Sequence, residues 1–343
     1  MKVVRRGSQW LTVVLAVLMV APLLTLGRPG AAAQEKPDKI RLDYAYYNPS
    51  SLVLRHFGWL EEDLKADGVD VTWTLSAGSN KANEFLRSEA IDFGSTAGAA
   101  ALLAKANGSP IETVYVFSKP EWTALVVAKD SPITEVSQLK GKKIAATKGT
   151  DPYFFLLQAL NQAGLKGSDV EIVNLQHADG KVALERGQVD AWAGLDPHMA
   201  QTELEQGSKL IYRNIDFNTY GFLNARSDFL KTYPQYTERV LTQYERARQW
   251  ILAHPDEAAQ ILADEAKISI EVATRELKDR TVLDVSPVPG EAQATVLKRI
   301  IPILTAENLV KPGTDAEAVL GELFAPQFIE QVVAREGAAT PAA

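Results

Sequence analysis

Three short segments of the sequence place a polar side chain directly before a proline. They are Asn48-Pro49, Asp151-Pro152 and Asp196-Pro197. Asparagine and aspartate cap helix N-termini well, and proline suits the first helical position because its missing N–H is not needed there. Each segment therefore predicts an abrupt helix start. Ligands of open α/β sheets bind beyond the carboxyl ends of strands, where helices begin, so these junctions are candidate binding positions.

Two further segments, residues 92–98 and 76–80, are rich in small and hydroxyl-bearing residues. With little side-chain bulk, their backbone N–H groups are able to face a ligand. A helix N-terminus favours an anion by roughly 0.3–1 kcal/mol. One interpretation is therefore an anion-binding cradle just after a strand, and a tight turn with ordinary capping explains the same residues equally well.

Aromatic side chains gather at the same junctions, among them Tyr47, Tyr153 and Trp192. Aromatic walls with a few fixed polar groups are typical of small-molecule pockets. Alternation along a strand sends about half of such side chains into the core instead. The aromatic residues therefore support a ligand pocket without defining it.

The common catalytic and metal-binding patterns are missing from the sequence. The four histidines, His56, His177, His198 and His254, stand singly, so we interpret each as a surface or capping residue. There is no cysteine, phosphate-binding loop, Gly-x-Ser-x-Gly elbow or Gly-x-Gly-x-x-Gly fingerprint. We expect no catalytic residue, no metal and no cofactor.

Short β-rich runs alternate with helical runs from Ile40 onward. The predicted elements are strands 40–46, 69–75, 91–94, 113–117 and 124–128 and helices 51–66 and 81–88. This alternation predicts α/β architecture with doubly wound parallel sheets covered by helices on both faces.

The alternation of predicted strands and helices begins again at Leu139 and indicates a second lobe. Its predicted elements are strands 143–147, 170–173 and 191–194 and helices 152–163, 180–187 and 197–206. Beyond Leu223 the chain is nearly all helical, with predicted helices 236–253, 256–266, 270–278 and 289–307. We expect these helices to complete the first lobe and residues 336–343 to form a disordered tail.

The first 33 residues have the pattern of an export signal. Basic residues precede an apolar run over residues 11–26, and Ala31-Ala32-Ala33 offers a cleavage site. An uncleaved anchor is the alternative. Since the chain lacks cysteine, it has neither disulfides nor a site for a lipid anchor. We therefore expect the mature protein to be free in the periplasm.

Without residues 1–33, the chain carries 32 basic and 43 acidic residues, a net charge of −11. This charge argues against nucleic acid and anionic membranes as partners. The remaining 310 residues are more than a single hydrophobic core usually organises, which favours two lobes.

Four segments resemble the periplasmic aliphatic-sulfonate-binding proteins. They are Asp92-Phe93-Gly94-Ser95-Thr96, residues 139–145, Lys148-Gly149-Thr150 and Asp190-Ala191-Trp192-Ala193. Taurine-, nitrate- and thiamin-pyrimidine-binding proteins belong to the same superfamily of ABC-importer receptors. The similarity runs from about Ile40 to Val333, and the motifs are more specific to the superfamily than to one ligand.

The resemblance implies a two-lobed type II periplasmic-binding fold. Lobe one would comprise residues 38–122 and 222–335, and lobe two residues 123–221. Crossover strands near residues 122–126 and 220–223 would form the hinge, and the lobes would close around the ligand for delivery to the permease.

In sulfonate-binding relatives, a Gly-Ser-Thr-Gly segment and a serine-rich second-lobe loop meet the anion. This chain has Ala97 after Thr96, and it has Asp151 in the second loop, where a carboxylate would repel a sulfonate. Either Asp151 turns away from the ligand, or the ligand carries a cation or hydrogen-bond donor on that side. A further interpretation is that Asp151 is only an N-cap outside the pocket. The predicted ligand-binding residues are Tyr47, Asn48, Ser50, Gly78, Ser79, Gly94, Ser95, Thr96, Thr150, Asp151, Tyr153, Trp192 and Asp196.

The sequence therefore predicts the solute-binding component of an ABC importer, with an aliphatic sulfonate or similar small organic anion or zwitterion as ligand. The expected partners are this ligand and the membrane permease, and the expected oligomeric state is a monomer. A receptor of the same fold for a pyrimidine, nitrate or another nitrogen compound is the first alternative. An enzyme of the pyrimidine-synthase type is the second, although that family's cysteine-rich motif has no counterpart in a chain without cysteine.

Overall fold

Residues 1–2 and 35–339 are described by the computed structural model of the protein. Residues 3–33 of the predicted export signal, its cleavage site and the last four residues of the predicted tail lie outside the described residues. From Glu35 onward the chain forms one compact unit that contains two β-sheets.

The first sheet has six strands in the order β11-β4-β10-β3-β1-β2, and the second has five in the order β7-β6-β8-β5-β9. The strands of the first sheet are β1 (Lys39–Tyr44), β2 (Asp70–Leu75), β3 (Phe93–Ala97), β4 (Ile111–Pro120), β10 (Gly221–Arg226) and β11 (Thr281–Val282). Those of the second are β5 (Ala124–Val127), β6 (Lys143–Ala146), β7 (Glu171–Asn174), β8 (Ala191–Ala193) and β9 (Lys209–Arg213).

Both sheets are mixed, whereas the sequence predicts parallel sheets. β10 runs antiparallel to β3 and β4, and β5 runs antiparallel to β8 and β9. Each of these strands enters its sheet directly from the other sheet rather than through a covering helix. A chain that arrives at the carboxyl ends of the parallel strands has to run back along them, which reverses its direction.

The helices mostly follow the prediction but are more broken. They are α1 (Pro49–Phe57), α2 (Trp59–Leu64), α3 (Ser79–Arg87), α4 (Gly98–Ala106), α5 (Asp151–Gln162), α6 (His177–Glu185), α7 (His198–Gln206), α8 (Ser227–Thr232), α9 (Pro234–Ala253), α10 (Pro255–Ala266), α11 (Ile270–Thr274), α12 (Glu291–Lys298), α13 (Ile301–Ala306), α14 (Ala316–Gly321) and α15 (Gln327–Ala339). The predicted helix 51–66 is split at Gly58, which ends α1 in the left-handed conformation at φ 65°.

Several elements escape the sequence prediction. Strand β9 and helices α8, α14 and α15 have no predicted counterpart, and α15 extends through residues 336–339, which are assigned to the tail. Within residues 35–339, no helix is long and apolar enough to cross a membrane.

Each sheet has its own apolar core. The first contains Leu42, Phe93 and Tyr244, and the second contains Ile144 and Phe155. The C-terminal helices α9 and α10 pack on the first core, as the sequence predicts. The protein is thus an α/β molecule with two lobes, one around each sheet.

The chain passes between the sheets twice, at residues 121–123 and 214–220. We call these segments the first and second connections. Gly98, at the start of α4, touches the second connection, and its N–H donates to the carbonyl oxygens of Thr219 and Tyr220. A Cβ atom at residue 98 would lie 2.3 Å from the Thr219 carbonyl oxygen, so only glycine permits this approach.

We expect Gly98→Ala to lower the free energy of unfolding by about 2 kcal/mol, because the new methyl group has to displace main chain. Gly321→Ala is the matched control, since a Cβ at this exposed helical position meets no atom within 4 Å. It should be neutral or slightly stabilising. Urea denaturation followed by circular dichroism measures both, and equal midpoints for Gly98→Ala and the parent protein would contradict the close approach.

Candidate functional site

A pocket of about 190 Å³ lies between the two lobes. The first lobe contributes the residues after β1 and β2, and the second contributes those after β7 and β8. The pocket therefore lies at the carboxyl ends of strands from both sheets, where open α/β folds bind ligands. Its walls are formed by Tyr46, Tyr47, Leu75, Ser76, Ala77, Gln176, His177, Ala178, Leu195, Asp196, Pro197 and His198.

Tyr47 and Asp196 are the predicted ligand-binding residues that line this pocket. The Tyr47 ring packs edge-on against Trp122 of the first connection, with 5.8 Å between ring centroids. Its hydroxyl donates to the Ser95 carbonyl oxygen at 2.9 Å. This ring is thus fixed by the first lobe and presents its remaining surface to the pocket.

A buried hydrogen-bond network holds Asn48 and Ser95. The Asn48 amide donates to the Ser95 hydroxyl, and the Ser95 hydroxyl and backbone N–H both donate to the Asp43 carboxylate. Burial raises the pKa of Asp43 to about 6, although the bonds from Ser95 oppose this rise. The Ser95 N–H, which the sequence offers to an anion, is therefore bonded to a carboxylate of the protein itself.

Residues 93–97 form strand β3 rather than the loop that the sequence predicts. The N–H groups that follow are also bonded within the protein. Ala97 donates to the Ser79 hydroxyl, Gly98 to the second connection, and Ala99 to the Thr219 hydroxyl. Strand pairing continues to Ala97 because β10 lies alongside it, so the predicted cradle is closed by the chain's own groups.

Asp151 does not cap helix α5, because Thr150 occupies the N-cap position and Asp151 is the first helical residue. Its carboxylate accepts hydrogen bonds from the Trp122 indole at 2.8 Å and from the N–H and hydroxyl of Thr219 at 2.9 and 2.5 Å. Trp122 lies in the first connection and Thr219 in the second. Asp151 therefore binds both connections at once and is absent from the residues that line the pocket, and its interpretation as an N-cap is wrong.

Asp196 joins the two lobes through an ion pair. Its carboxylate lies 3.1 Å from the Arg280 guanidinium and accepts the N–H of Ala200 at 2.8 Å. Arg280 belongs to the first lobe, where it precedes β11, and it also pairs with Glu203 of α7. Both side chains of the Asp196–Arg280 pair are at most 2% exposed, so the pair is shielded from water.

The other predicted site residues are buried around the pocket or in the cores. Ser50 has a buried hydroxyl without a partner among the described residues, and Gly78 faces the His177 ring. Thr150 donates to the Thr147 carbonyl oxygen, whereas the Trp192 side chain packs in the second lobe's core. Of the remaining three, Gly94 and Thr96 lie in β3 and Tyr153 lies in α5.

The second-lobe wall contains residues that the sequence analysis passes over, chiefly Gln176, His177 and His198. His177 is 1% exposed, so its interpretation as a surface residue is wrong. The feature of the sequence that could have identified His177 as a site residue is its position shortly after a predicted strand. The predicted helix begins at Gly180, whereas α6 begins at His177, and this error of three residues hid the junction.

Burial lowers the pKa of His177 to about 3 and that of His198 to about 4. Both rings are therefore neutral near pH 7. No lysine or arginine belongs to the described residues that line the pocket. The pocket wall is thus aromatic and aliphatic, and its polar side chains besides the two tyrosines are the neutral histidines, one glutamine, one serine and the ion-paired Asp196.

A larger depression, of about 550 Å³, lies at the opposite ends of the first-lobe strands. Its charged residues already pair with one another, as Arg41 and Arg226 do with Asp92. It does not contact the second lobe. We take the pocket of about 190 Å³ as the candidate site because residues that follow strands of both sheets line it. In residues 35–339, no group of three His, Asp or Glu side chains has the arrangement needed to hold a metal ion.

A profile of the NMT1/THI5-like family matches residues 60–258, which is more than half of the chain. The chain belongs to this family. Individual relatives extend the match across both lobes. The putative aliphatic sulfonates-binding protein of Escherichia coli is 29% identical over 279 residues, which cover 81% of this chain and 87% of the relative. A pyrimidine phosphate synthase of Saccharomyces cerevisiae is 28% identical over 212 residues, 57% of this chain and 61% of the relative.

Two solved structures of sulfonate-binding proteins have the same fold as this chain. The aliphatic sulphonate binding protein of Escherichia coli superposes with a TM-score of 0.72 at 26% identity, over 85% of this chain and 93% of that chain. The alkanesulfonate-binding protein of Xanthomonas axonopodis pv. citri, solved with MOPS bound, gives 0.75 at 23% identity, over 83% and 98%. The fold of this family member is therefore that of periplasmic binding proteins, as the sequence resemblance implies.

We expect Asp151→Asn to lower the free energy of unfolding by about 3 kcal/mol, since an amide turns one acceptor into a donor facing Trp122 or Thr219. The measurement is urea denaturation at pH 7. Asp130→Asn, at an exposed position of the same lobe, is the control and should change stability by less than about 0.5 kcal/mol. Equal losses in both variants would show that Asp151 does not hold the connections.

The low pKa of His177 predicts a pH-dependent loss of stability. The unfolded chain takes up a proton below about pH 6.5, whereas the folded chain does not until about pH 3, so stability falls as pH decreases through this window. Between pH 7.5 and pH 5 the parent protein should lose about 2 kcal/mol more than His177→Gln. Urea titrations at both pH values test this difference, which would vanish if the buried ring were protonated.

Proposed function

We propose that this protein is the solute-binding component of an ABC importer and captures an aliphatic sulfonate or a similar small organic anion or zwitterion. The observation that carries this proposal is the pocket at the strand ends of both lobes. Its volume of about 190 Å³ is below the roughly 300–1,000 Å³ of pockets for drug-sized ligands, so it suits a small solute.

The names of the relatives support this choice of ligand class. The Escherichia coli relative, of which the chain covers 87%, is named for aliphatic sulfonates. The pocket has an apolar wall for an aliphatic body, and the N-terminus of α6, which has no side-chain cap, adjoins it. Unbonded N–H groups of a helix N-terminus favour the negative end of such a solute.

We further propose that the protein does not catalyse a reaction. The chain has no cysteine, and Asp196, the carboxylate at the pocket wall, is committed to structural bonds with Arg280 and Ala200. The rival is the synthase activity by which the yeast relative is named. Turnover of a pyrimidine precursor or of any bound solute by the purified protein would favour that rival.

The proposed partners and location follow the same reasoning. The exported protein would work in the periplasm as a monomer and dock on the permease through both lobes when they close. We place lobe one at residues 38–122 and 222–335, lobe two at 123–221, and the hinge in the two connections. The ring of Tyr47 against Trp122 couples the pocket wall directly to the first of these connections.

A thermal-shift screen of the purified protein tests the proposed function. The panel contains alkanesulfonates, taurine, sulfate, nitrate, pyrimidines and amino acids. A ligand at a hundred times its Kd stabilises the fold by about 2.7 kcal/mol, which raises Tm by a few degrees. We expect sulfonates to produce this shift and sulfate and nitrate not to, because inorganic anions do not use the apolar wall.

A pocket-filling variant, Ala77→Trp, locates the binding. Ala77 lines the pocket from the first lobe, and an indole there should abolish the shift. Ala90→Trp, at an exposed position that does not line the pocket, should retain it. A shift from pyrimidines or nitrate alone would replace the sulfonate assignment with the alternative receptor, and an unchanged shift in Ala77→Trp would place the site elsewhere.

A further inference from the structure

His177 is buried where the second lobe meets the first. It begins α6, directly after β7, and its ring faces Gly78 of the first lobe. The ring atom Nε2 has no hydrogen-bond partner among the described residues, although the residue is 1% exposed. A buried polar atom without a partner destabilises the fold, so its position in a pocket wall calls for a ligand.

The hydrogen bonds around Nδ1 determine the tautomer of this ring. Nδ1 lies 3.2 Å from the Thr147 hydroxyl oxygen, and the same hydroxyl lies 2.6 Å from the Leu175 carbonyl oxygen. A hydroxyl has one hydrogen, which the carbonyl must receive because it cannot donate. The Thr147 oxygen is then the acceptor, and Nδ1 carries the proton. In the neutral ring, Nε2 is therefore an unprotonated acceptor.

The surroundings reinforce the acceptor character of this wall. The side-chain oxygen of Gln176 is also buried without a partner among the described residues. Gly78 of the first lobe packs close to Nε2, and a Cβ atom at that position would lie only 2.8 Å from it, so a larger residue there would block this atom. In the part of the chain that the structure describes, no lysine or arginine lines the wall, and the Ser76 hydroxyl, which is also buried without a partner, is able to donate or accept.

We propose that Nε2 of His177 accepts a hydrogen bond from the bound solute and so selects small organic molecules that carry an ammonium, N–H or hydroxyl donor. This inference rests on the proposed function, because it concerns the solute in the same pocket. Within the sulfonates it favours amino- and hydroxy-substituted members over plain alkanesulfonates. The anionic group of the solute then lies at the backbone N–H groups that begin α6, and its donor lies at the His177 ring.

Calorimetric titration with matched solutes tests this selectivity. Taurine and 2-hydroxyethanesulfonate carry a donor that ethanesulfonate lacks, and 4-aminopyrimidine carries one that 4-methylpyrimidine lacks. For at least one pair, the Kd of the donor-bearing solute for the parent protein should be about tenfold lower than that of its partner. This ratio is what one additional well-formed hydrogen bond contributes to affinity. His177→Phe should remove this preference, so that the ratio of the two Kd values within the pair falls to about one.

Two further variants separate recognition from packing. His177→Gln retains an acceptor near the position of Nε2 and should restore part of the preference. His56→Phe makes the same replacement as His177→Phe at an exposed position and should behave as the parent protein. The comparison of two solutes in two proteins isolates the pairwise contact from any general weakening of the fold.

Each outcome decides between the two proposals. Equal affinities within every pair, or equal losses for both members of a pair in His177→Phe, would overturn the role of His177 while a sulfonate receptor stands. If no sulfonate binds but the aminopyrimidine shows the expected pattern, the sulfonate assignment fails and the role of His177 stands. If no donor-bearing solute binds, the inference about His177 is refuted.

Discussion

The carboxylate of Asp151 is the constraint on which the relation between the lobes depends. It begins a helix of the second lobe, yet its three hydrogen bonds go to the two connections. The Thr219 hydroxyl that donates to it also accepts the N–H of Ala99, at the start of α4 in the first lobe. One buried carboxylate thus ties together both connections and, through a single hydroxyl, the first lobe as well. Burial raises the pKa of Asp151 to about 6, and the hydrogen bonds from Thr219 and Trp122 oppose this rise. These bonds therefore help to keep the carboxylate charged near neutral pH.

The N–H groups of the predicted cradle in the first lobe are bonded within the protein. Asp43 accepts from Ser95, and Gly98 at the start of α4 donates to the second connection. Under our proposal, recognition of the solute falls to the second-lobe wall, where Gln176 and His177 have side-chain acceptors without a partner among the described residues. The first-lobe wall supplies a rigid aromatic surface at Tyr47, and in our proposal the second-lobe wall supplies the polar groups that discriminate between solutes.

The sequence predicts the architecture better than the site. Strand-helix alternation and Asn48-Pro49 locate elements to within a few residues, because hydrophobic period and capping are local properties. The antiparallel course of β5 and β10 depends on how the chain crosses between sheets, which no local pattern records. The roles of Asp151 and Ser95 were missed for the same reason. The partners of Asp151 lie 29 and 68 residues away, and those of Ser95 lie 47 to 52 residues away. His177 was missed because a solitary histidine has no spacing to interpret, and its meaning comes from Thr147 and Gly78.

The ion pair of Asp196 with Arg280 has a different bearing on the receptor. The Arg280 guanidinium does not line the pocket, so its contribution to holding the lobes together is the same for every enclosed solute. A contribution common to all complexes scales all dissociation constants together and leaves their order unchanged. How long a solute is retained and which solute is retained are therefore set by separate residues. Substitutions around Arg280 would therefore change the affinity of such a receptor for all its solutes without changing which solute it prefers.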